Sequence, residues 1–200
     1  MDELLAKVDQ GQVFILSAGG WSRDRRFMLM HSAPAGASGV NLWVLALADR
    51  KIVPLVKSEF REFGERFSPD NRWFAYTSNR TGKDEAYVRA FDPSFVPGSG
   101  NPSPGAEYRV STNGAASPLW SGDGKEIFYI APDGGVMAVD VSDKFKPGIP
   151  KTLFHVPPGV NYWDVANDGQ RFLIPVAGGT APGNAAPYKV VLNWTSLLKH

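Results

Sequence analysis

One short unit occurs four times along this chain, and it constrains the fold more than any other feature of the sequence. The copies are WSRDRRFMLM, FSPDNRWFAY, WSGDGKEIFY and VANDGQRFLI, which begin at Trp21, Phe67, Trp120 and Val165. Each copy holds an aspartate at the same place: Asp24, Asp70, Asp123 and Asp168. Successive aspartates are 46, 53 and 45 residues apart (24 to 70, 70 to 123, 123 to 168). A period of this length is typical of a propeller blade, a supersecondary unit that is repeated.

The residues of the unit predict a tight turn and then a buried strand. An aspartate at the first turn position can accept a hydrogen bond from the backbone two residues on, and Asn or Gly after it tolerates positive φ. Arg25 follows Asp24, so we expect that turn to be strained or of another type. Each turn is followed by a short run that is hydrophobic at nearly every position. Such runs suit strands that are covered on both faces, as in a blade between two others.

A third strand in every copy and an outer strand in the first three complete the unit. We therefore predict an all-β fold, a β-propeller of four-stranded antiparallel blades, as one domain with four blades over residues 13–56, 59–111, 116–156 and 162–194. Residues 1–8 resemble the outer strand of a missing blade, with a helix as the alternative. We expect a partial, open propeller that self-associates through its uncovered faces. A ring closed by residues 1–8 beside the last strand is the other arrangement.

Composition excludes several classes of protein. The 200 residues carry a formal net charge of +1 with no basic block, so we expect no nucleic-acid partner. There is no cysteine, which excludes disulfides, cysteine zinc sites and thiol nucleophiles. The first residues lack the basic and apolar regions of a signal peptide, and no apolar run approaches the roughly 20 residues that cross a bilayer. We expect no membrane insertion by this chain.

The second copy and the end of the chain resemble a known family. FSPDNRWFAYTSNRTGKDEAYVRAF, from Phe67, resembles the WD40-like repeat (PD40) of TolB-type β-propellers, whose core pattern is Ser-Pro-Asp-Gly followed by a strand. The terminal VVLNWTSLLK is similar to the end of the propeller attached to some bacterial serine/threonine protein kinases. That resemblance implies an extracytoplasmic, periplasmic-side position. None of the kinase motifs occurs here, so any kinase activity would reside in another domain.

The chain offers no pattern that indicates catalysis. His31, His155 and His200 share no ligand motif, and we expect structural or surface roles for them. WSGDG lacks the first glycine of a nucleophile elbow and is explained by the repeat. One aspartate per blade would lie on a wide ring, so we interpret the four as turn-capping residues. We expect no catalytic residue, no cofactor and no metal.

Loops and the central channel of propellers carry their binding functions. We predict partner contacts from polar residues at the start of blade 2 and from two loop segments: Arg61, Glu62, Arg66, Asn79, Arg80, Tyr162 and Trp163. The long segment 92–107 is interpreted as a linker with Phe95 exposed. The predicted function is a non-catalytic interaction or sensor module for a protein or peptide. The alternative is the propeller domain of a hydrolase or peptidase that gates or binds substrate.

Overall fold

The computed structural model describes residues 12–34, 39–98, 100–141, 146–157, 159–160, 162–175 and 189–191. Blade 1 contains β1 (Gln12–Trp21), β2 (Phe27–Pro34), β3 (Asn41–Ala46) and β4 (Lys51–Val56). Blade 2 contains β5 (Glu62–Phe67), β6 (Trp73–Ser78), β7 (Glu85–Ala90) and β8 (Glu107–Arg109). Blade 3 contains β9 (Ala116–Trp120), β10 (Glu126–Ile130), β11 (Gly135–Asp140) and β12 (Lys151–His155). Blade 4 contains β13 (Asp164–Val165), β14 (Phe172–Ile174) and β15 (Lys189–Val191).

Every sheet is an antiparallel meander in which strands adjacent in sequence are hydrogen-bonded neighbours. The predicted all-β fold of four-stranded antiparallel blades is confirmed, and no sheet closes on itself within the described residues. Blade 4 has three strands in that part of the chain. The predicted pairing or separation of residues 1–8 lies outside the described residues. In the ranges given above, no helix has the length and apolarity that a membrane span requires.

The core lies in the seams between consecutive blades. Because successive side chains of a strand point to opposite faces, each middle strand contributes to two seams. Phe74 and Tyr76 of β6 are fully buried against blade 1, whereas Ala75 between them is fully buried against blade 3. Coverage on both faces explains why the strand after each turn is hydrophobic at nearly every position.

The four repeated turns have one geometry. A carboxylate oxygen accepts the backbone N–H two residues on in each, at 3.0–3.1 Å, from Asp24, Asp70, Asp123 and Asp168. The residue after each aspartate has positive φ: Arg25 (61°), Asn71 (59°), Gly124 (72°) and Gly169 (69°). The first turn is therefore the same turn as the others, with an arginine in a conformation that favours glycine or asparagine.

Contacts between these turns link the blades on one face of the molecule. The backbone N–H of Arg23 donates to the side-chain oxygen of Asn71 at 2.9 Å. A Cβ added to Gly122 would lie 2.4 Å from the carbonyl oxygen of Asn167, so only glycine allows the blade 3 turn to approach blade 4 this closely. We call this side of the molecule the turn face.

The prediction for Phe95 was wrong. Its side chain is only 3% exposed and belongs to the cluster in the seam between blades 1 and 2. Phe91, next to this loop, packs edge-on against Phe27 and Phe67, with ring centroids 5.2 and 5.0 Å away. The segment 92–107 therefore closes the core at the turn-face end of the seam. Composition alone could not distinguish this role from that of a linker, because its one aromatic side chain has no local pattern around it.

Candidate functional site

A polar cavity of about 370 Å³ lies where the chain passes from blade 1 into blade 2. Residues 56–60 of the crossover form one wall, and strands of blade 2 form the other. Four charged side chains of blade 2 line it: Glu62, Arg80, Arg89 and Glu107. We call this cavity, with Lys57 and Ser58 of the crossover, the seam pocket.

Strand register explains why these side chains meet. Arg89 of β7 pairs with Phe74 of β6 and with Glu107 of β8. Residues opposite one another in an antiparallel sheet project from the same face. Phe74 packs against blade 1, so Arg89 and Glu107 also lie on that face of blade 2. The charged residues thus extend the apolar seam toward the outer strand.

A β-bulge brings Glu62 to the same face. Glu62 pairs with Ser78 and Phe67 pairs with Phe74, and both Ser78 and Phe74 lie on the blade 1 face of β6. Simple alternation would place Glu62 and Phe67 on opposite faces, since five positions separate them. The register shifts at Gly64, which has a φ of +70°, and the extra residue reverses the alternation.

Arg80, Glu107 and Tyr76 form a closed hydrogen-bond network at one end of the pocket. Arg80 Nη1 donates to Glu107 Oε1 at 2.5 Å, and the Tyr76 hydroxyl donates to Glu107 Oε2 at 2.6 Å. Arg80 Nη2 donates to the Tyr76 hydroxyl, and Arg80 Nε donates to Ser78 Oγ at 3.3 Å. Every nitrogen of the Arg80 head group and both Glu107 oxygens are therefore occupied by protein atoms.

The electrostatics of this network hold both ionised groups charged. Burial acts to raise the pKa of Glu107, but the hydrogen bonds from Arg80 and Tyr76 outweigh it and lower the pKa. Burial acts to lower the pKa of Arg80, but Glu107 outweighs it and the pKa rises. Burial and the Glu107 charge raise the pKa of Tyr76, whose hydroxyl keeps its proton. The network is a fixed ion pair.

Glu62 is different because its carboxylate is only partly satisfied. The residue is 1% exposed. Its Oε1 accepts a hydrogen bond from Ser58 Oγ at 2.9 Å, whereas Oε2 is buried and makes no hydrogen bond of ordinary geometry to a described protein atom. Burial raises the pKa of Glu62, although the hydroxyls of Ser58 and Ser78 and the charge of Arg80 oppose that rise.

Arg89 supplies the complementary group. Its Nη2 donates a long hydrogen bond, 3.4 Å, to the carbonyl oxygen of Ser103, and its Nη1 lies 4.0 Å from Glu107. Its Nε is buried without a hydrogen-bond partner among the described protein atoms. The seam pocket therefore contains one buried acceptor, Glu62 Oε2, and one buried donor, Arg89 Nε, that the protein leaves available.

Of the seven predicted contact residues, the structure brings Glu62 and Arg80 into the seam pocket. Arg61 and Asn79 lie beside it: the backbone N–H of Arg61 donates to the Asn79 side-chain oxygen at 2.8 Å. The guanidinium of Arg61, half exposed, pairs with Asp84 at 2.8 Å. Arg66 lies elsewhere, in a pocket of about 310 Å³ toward the turn face, where burial lowers its pKa.

The two aromatic candidates differ in exposure. Tyr162 is 85% exposed. Trp163 is buried, stacks on Phe172 with centroids 6.0 Å apart, and donates from Nε1 to the Ser117 carbonyl at 3.0 Å. The structure places Trp163 in the seam between blades 3 and 4, while His31 pairs with buried Glu65 at 3.1 Å.

Sequence reasoning missed Tyr76, Arg89 and Glu107. Arg89 lies inside a strand whose alternate residues are buried, and a charged residue at such a position signals a polar contact in a seam. Glu107 begins an outer strand, where acidic residues are ordinary, so nothing local marks it. Across the described ranges, no three His, Cys, Asp or Glu side chains converge as metal ligands would.

Comparison with known proteins identifies the class of fold. No protein-family model matches the sequence, and no curated protein matches it. Among solved structures, TolB from Acinetobacter baumannii is similar over 88% of this chain and 41% of its own, with a TM-score of 0.61 and 20% identity. Oligogalacturonate lyase in complex with manganese is similar over 99% of this chain and 55% of its own, with a TM-score of 0.67 and 10% identity.

A third structure, the β-propeller domain of Cps50 (Swd1) from Myceliophteria thermophila, is similar over 86% of this chain and 55% of its own, with a TM-score of 0.51 and 13% identity. The chain thus spans about half the length of these structures. It has the fold of part of a β-propeller of the kind seen in TolB. At these identities the likeness establishes the fold alone, because one fold carries many functions.

Proposed function

We propose that this chain is a non-catalytic β-propeller module that binds a protein or peptide partner, and that the partner places a polar group in the seam pocket. One observation carries the proposal: Glu62 Oε2 and Arg89 Nε are buried in the same cavity without protein hydrogen bonds. Buried polar atoms are nearly always paired, and leaving one unpaired costs about 1–3 kcal/mol. A ligand that pairs both atoms recovers that cost on binding.

The position of the pocket suits a partner that is a macromolecule. It opens beside the crossover from blade 1 to blade 2 and beside Arg61, Asn79 and the loop that begins there. Binding sites of propellers are built on connecting segments held by a rigid scaffold. A peptide or protein loop that enters the pocket also contacts the exposed crossover residues around it.

The sequence supports a finer proposal about the whole protein. We infer from the terminal VVLNWTSLLK, and from that resemblance alone, that the module accompanies a membrane-anchored bacterial serine/threonine kinase and lies on the extracytoplasmic side. In such a protein the propeller is the sensor and the kinase transmits the signal. Four blades of one domain then form the C-terminal part of a larger propeller. Light scattering on the isolated chain tests the open arrangement, because uncovered end blades promote self-association.

Peptide selection tests the binding proposal. Random peptides displayed on phage are selected on the immobilised chain, and the affinity of the best binders is measured by calorimetry. We expect saturable binding that weakens at least tenfold in Arg89→Met, since a hydrogen bond to a charged group is lost. Arg72→Met is the matched control, because Arg72 is an exposed arginine on the turn face of the same blade.

Two outcomes contradict the proposal. Binders that are insensitive to Arg89→Met would place the partner site elsewhere on the molecule. Turnover of ester, glycoside or peptide substrates by the purified chain would favour the alternative, in which the propeller belongs to a hydrolase or peptidase.

A further inference from the structure

The structure assigns a chemical class to the ligand of the seam pocket: we propose that it binds an uncharged carboxamide, through an N–H that donates to Glu62 Oε2 and a C=O that accepts from Arg89 Nε. This inference rests on the proposed function, and it names the group by which the partner is recognised. The same chemistry is present in an Asn or Gln side chain and in a peptide backbone group.

The first step of the argument is the number of unused hydrogen-bonding atoms. Arg80 and Glu107 line the pocket, but each already has hydrogen bonds from protein atoms at every polar head-group atom. Ser58 donates its hydroxyl hydrogen to Glu62 and also accepts the backbone N–H of Phe60. What remains is one buried acceptor and one buried donor. A carboxamide is the simplest group that supplies one of each complement.

Charge is the second step. The four ionisable side chains of blade 2 in the pocket are two arginines and two glutamates, so their formal charges cancel when all are ionised. Lys57 directs its ammonium group over the ring of Trp43, 4.9 Å from the centroid, and so toward blade 1. A cationic ligand would be placed beside two guanidinium groups, and an anionic ligand beside two carboxylates. In a buried site either charge carries an uncompensated desolvation cost, which a neutral group avoids.

Burial is the third step. Glu62 is 1% exposed and about a quarter of the Arg89 side chain is exposed, so the pocket has a deep carboxylate and a guanidinium nearer its mouth. A ligand must therefore present its N–H first. An extended segment or a side-chain amide that enters from the crossover can do so without burying further polar atoms.

NMR titration of the intact chain tests the inference with small probes. The Nε–Hε resonance of Arg89 in the ¹⁵N-labelled protein is assigned by its loss in Arg89→Lys. Acetamide, sodium acetate and guanidinium chloride are then added at matched ionic strength near pH 7. We expect acetamide to move this resonance saturably with a millimolar Kd, as a ligand of few atoms allows, while the two ions shift it no more than sodium chloride does.

Variants and a second amide make the test specific. Glu62→Leu should weaken acetamide binding at least tenfold, and Arg72→Met should leave it unchanged. N-methylacetamide distinguishes the two sources, because a backbone group is a secondary amide: binding equal to that of acetamide supports a backbone ligand, and much weaker binding supports an Asn or Gln side chain.

A larger saturable shift with acetate or guanidinium than with acetamide would overturn the inference, and so would the absence of saturation with every probe. These results are separable from a failure of the proposed function. Peptides that depend on Arg89 but anchor through an acidic or basic side chain would contradict the carboxamide and retain the partner site. Acetamide binding without any peptide binder would do the reverse.

Discussion

The two faces of blade 2 are built from the same strands and behave differently. Toward blade 3, β6 and β7 present the small residues Ala75, Ala86 and Val88, which are fully buried among residues such as Ile127 and Val139. Toward blade 1, the same strands present large aromatic and charged side chains, and the seam there contains a polar cavity.

The difference shows how a repeated scaffold acquires a site without a change in topology. Small side chains let neighbouring sheets approach until the seam is filled by apolar atoms. Bulky rings such as Phe74 and Tyr76 fill the inner part of the other seam, and the charged residues beyond them cannot pack without hydrogen bonds. Most of those bonds are made within blade 2, and the two that are not define the site.

The largest expected effect is on the aromatic face. Phe74→Ala removes a fully buried ring and should lower the free energy of unfolding by about 3–5 kcal/mol, because the rigid sheets cannot collapse into the cavity. Urea denaturation followed by tryptophan fluorescence measures it. Trp73→Ala is the control: that side chain is only partly buried on the opposite face, so the loss should be smaller. A larger loss for Trp73 would reverse our account of the two faces.

The next largest effect separates the polar network from simple aromatic packing. Tyr76→Phe removes a hydroxyl that donates to Glu107 at 2.6 Å and accepts from Arg80, and should cost about 1.5–3 kcal/mol, since hydrogen bonds to charged groups are the strong ones. Tyr87→Phe is the matched control on the same face, for a tyrosine that stacks on Tyr76 at 5.8 Å. We expect it to change stability by less than about 0.5 kcal/mol. Equal losses would show that the network contributes nothing beyond packing.

Overpacking tests the face toward blade 3. Ala75→Leu should destabilise by about 1–3 kcal/mol, because a fully buried position between two closely packed sheets has no room for extra methyl groups. Ala106→Leu, at an exposed position before β8, should leave the melting temperature unchanged. If Ala75→Leu melts with the parent, this seam holds space that our description denies.

The smallest effect has the opposite sign. Burial raises the pKa of Glu62 in the folded protein, so the native state binds that proton more tightly than the unfolded chain does. The stabilisation from Glu62 is therefore complete below the unfolded pKa of about 4.3 and is lost as pH rises through the folded pKa. Glu62→Gln cannot ionise, and it should melt about 2 °C above the parent at pH 7, a difference that closes toward pH 4.

Thermal melts across that pH range measure the effect. Glu85→Gln is the control, because the buried carboxylate of Glu85 already accepts hydrogen bonds from Ser111 and from the backbone of Gly114. It should lower stability, since an amide accepts more weakly than a carboxylate. A Glu62→Gln variant less stable than the parent at pH 7 would mean that the carboxylate is satisfied in the folded protein.

The sequence by itself determined the repeating parts of this protein. Turn chemistry is local: an aspartate that accepts the N–H two residues on, with a neighbour at positive φ, needs only adjacent residues. The hydrophobic runs after Asp24, Asp70 and Asp123 are equally local, because coverage on both faces requires apolar residues at successive positions. These signals predicted the strands of blades 1 to 3 to within two residues and the fold class with them.

Only the tertiary structure decided what the seams contain. Glu62 reaches the blade 1 face because a bulge at Gly64 reverses the alternation of β5, and no single-strand pattern reports a bulge. Arg89 and Glu107 meet through the register of two strands that a 16-residue segment separates in sequence (91 to 106). Phe95 enters the core from that same segment. Each outcome depends on contacts between residues far apart in the chain, and pairing across a sheet fixes positions that local preferences leave open.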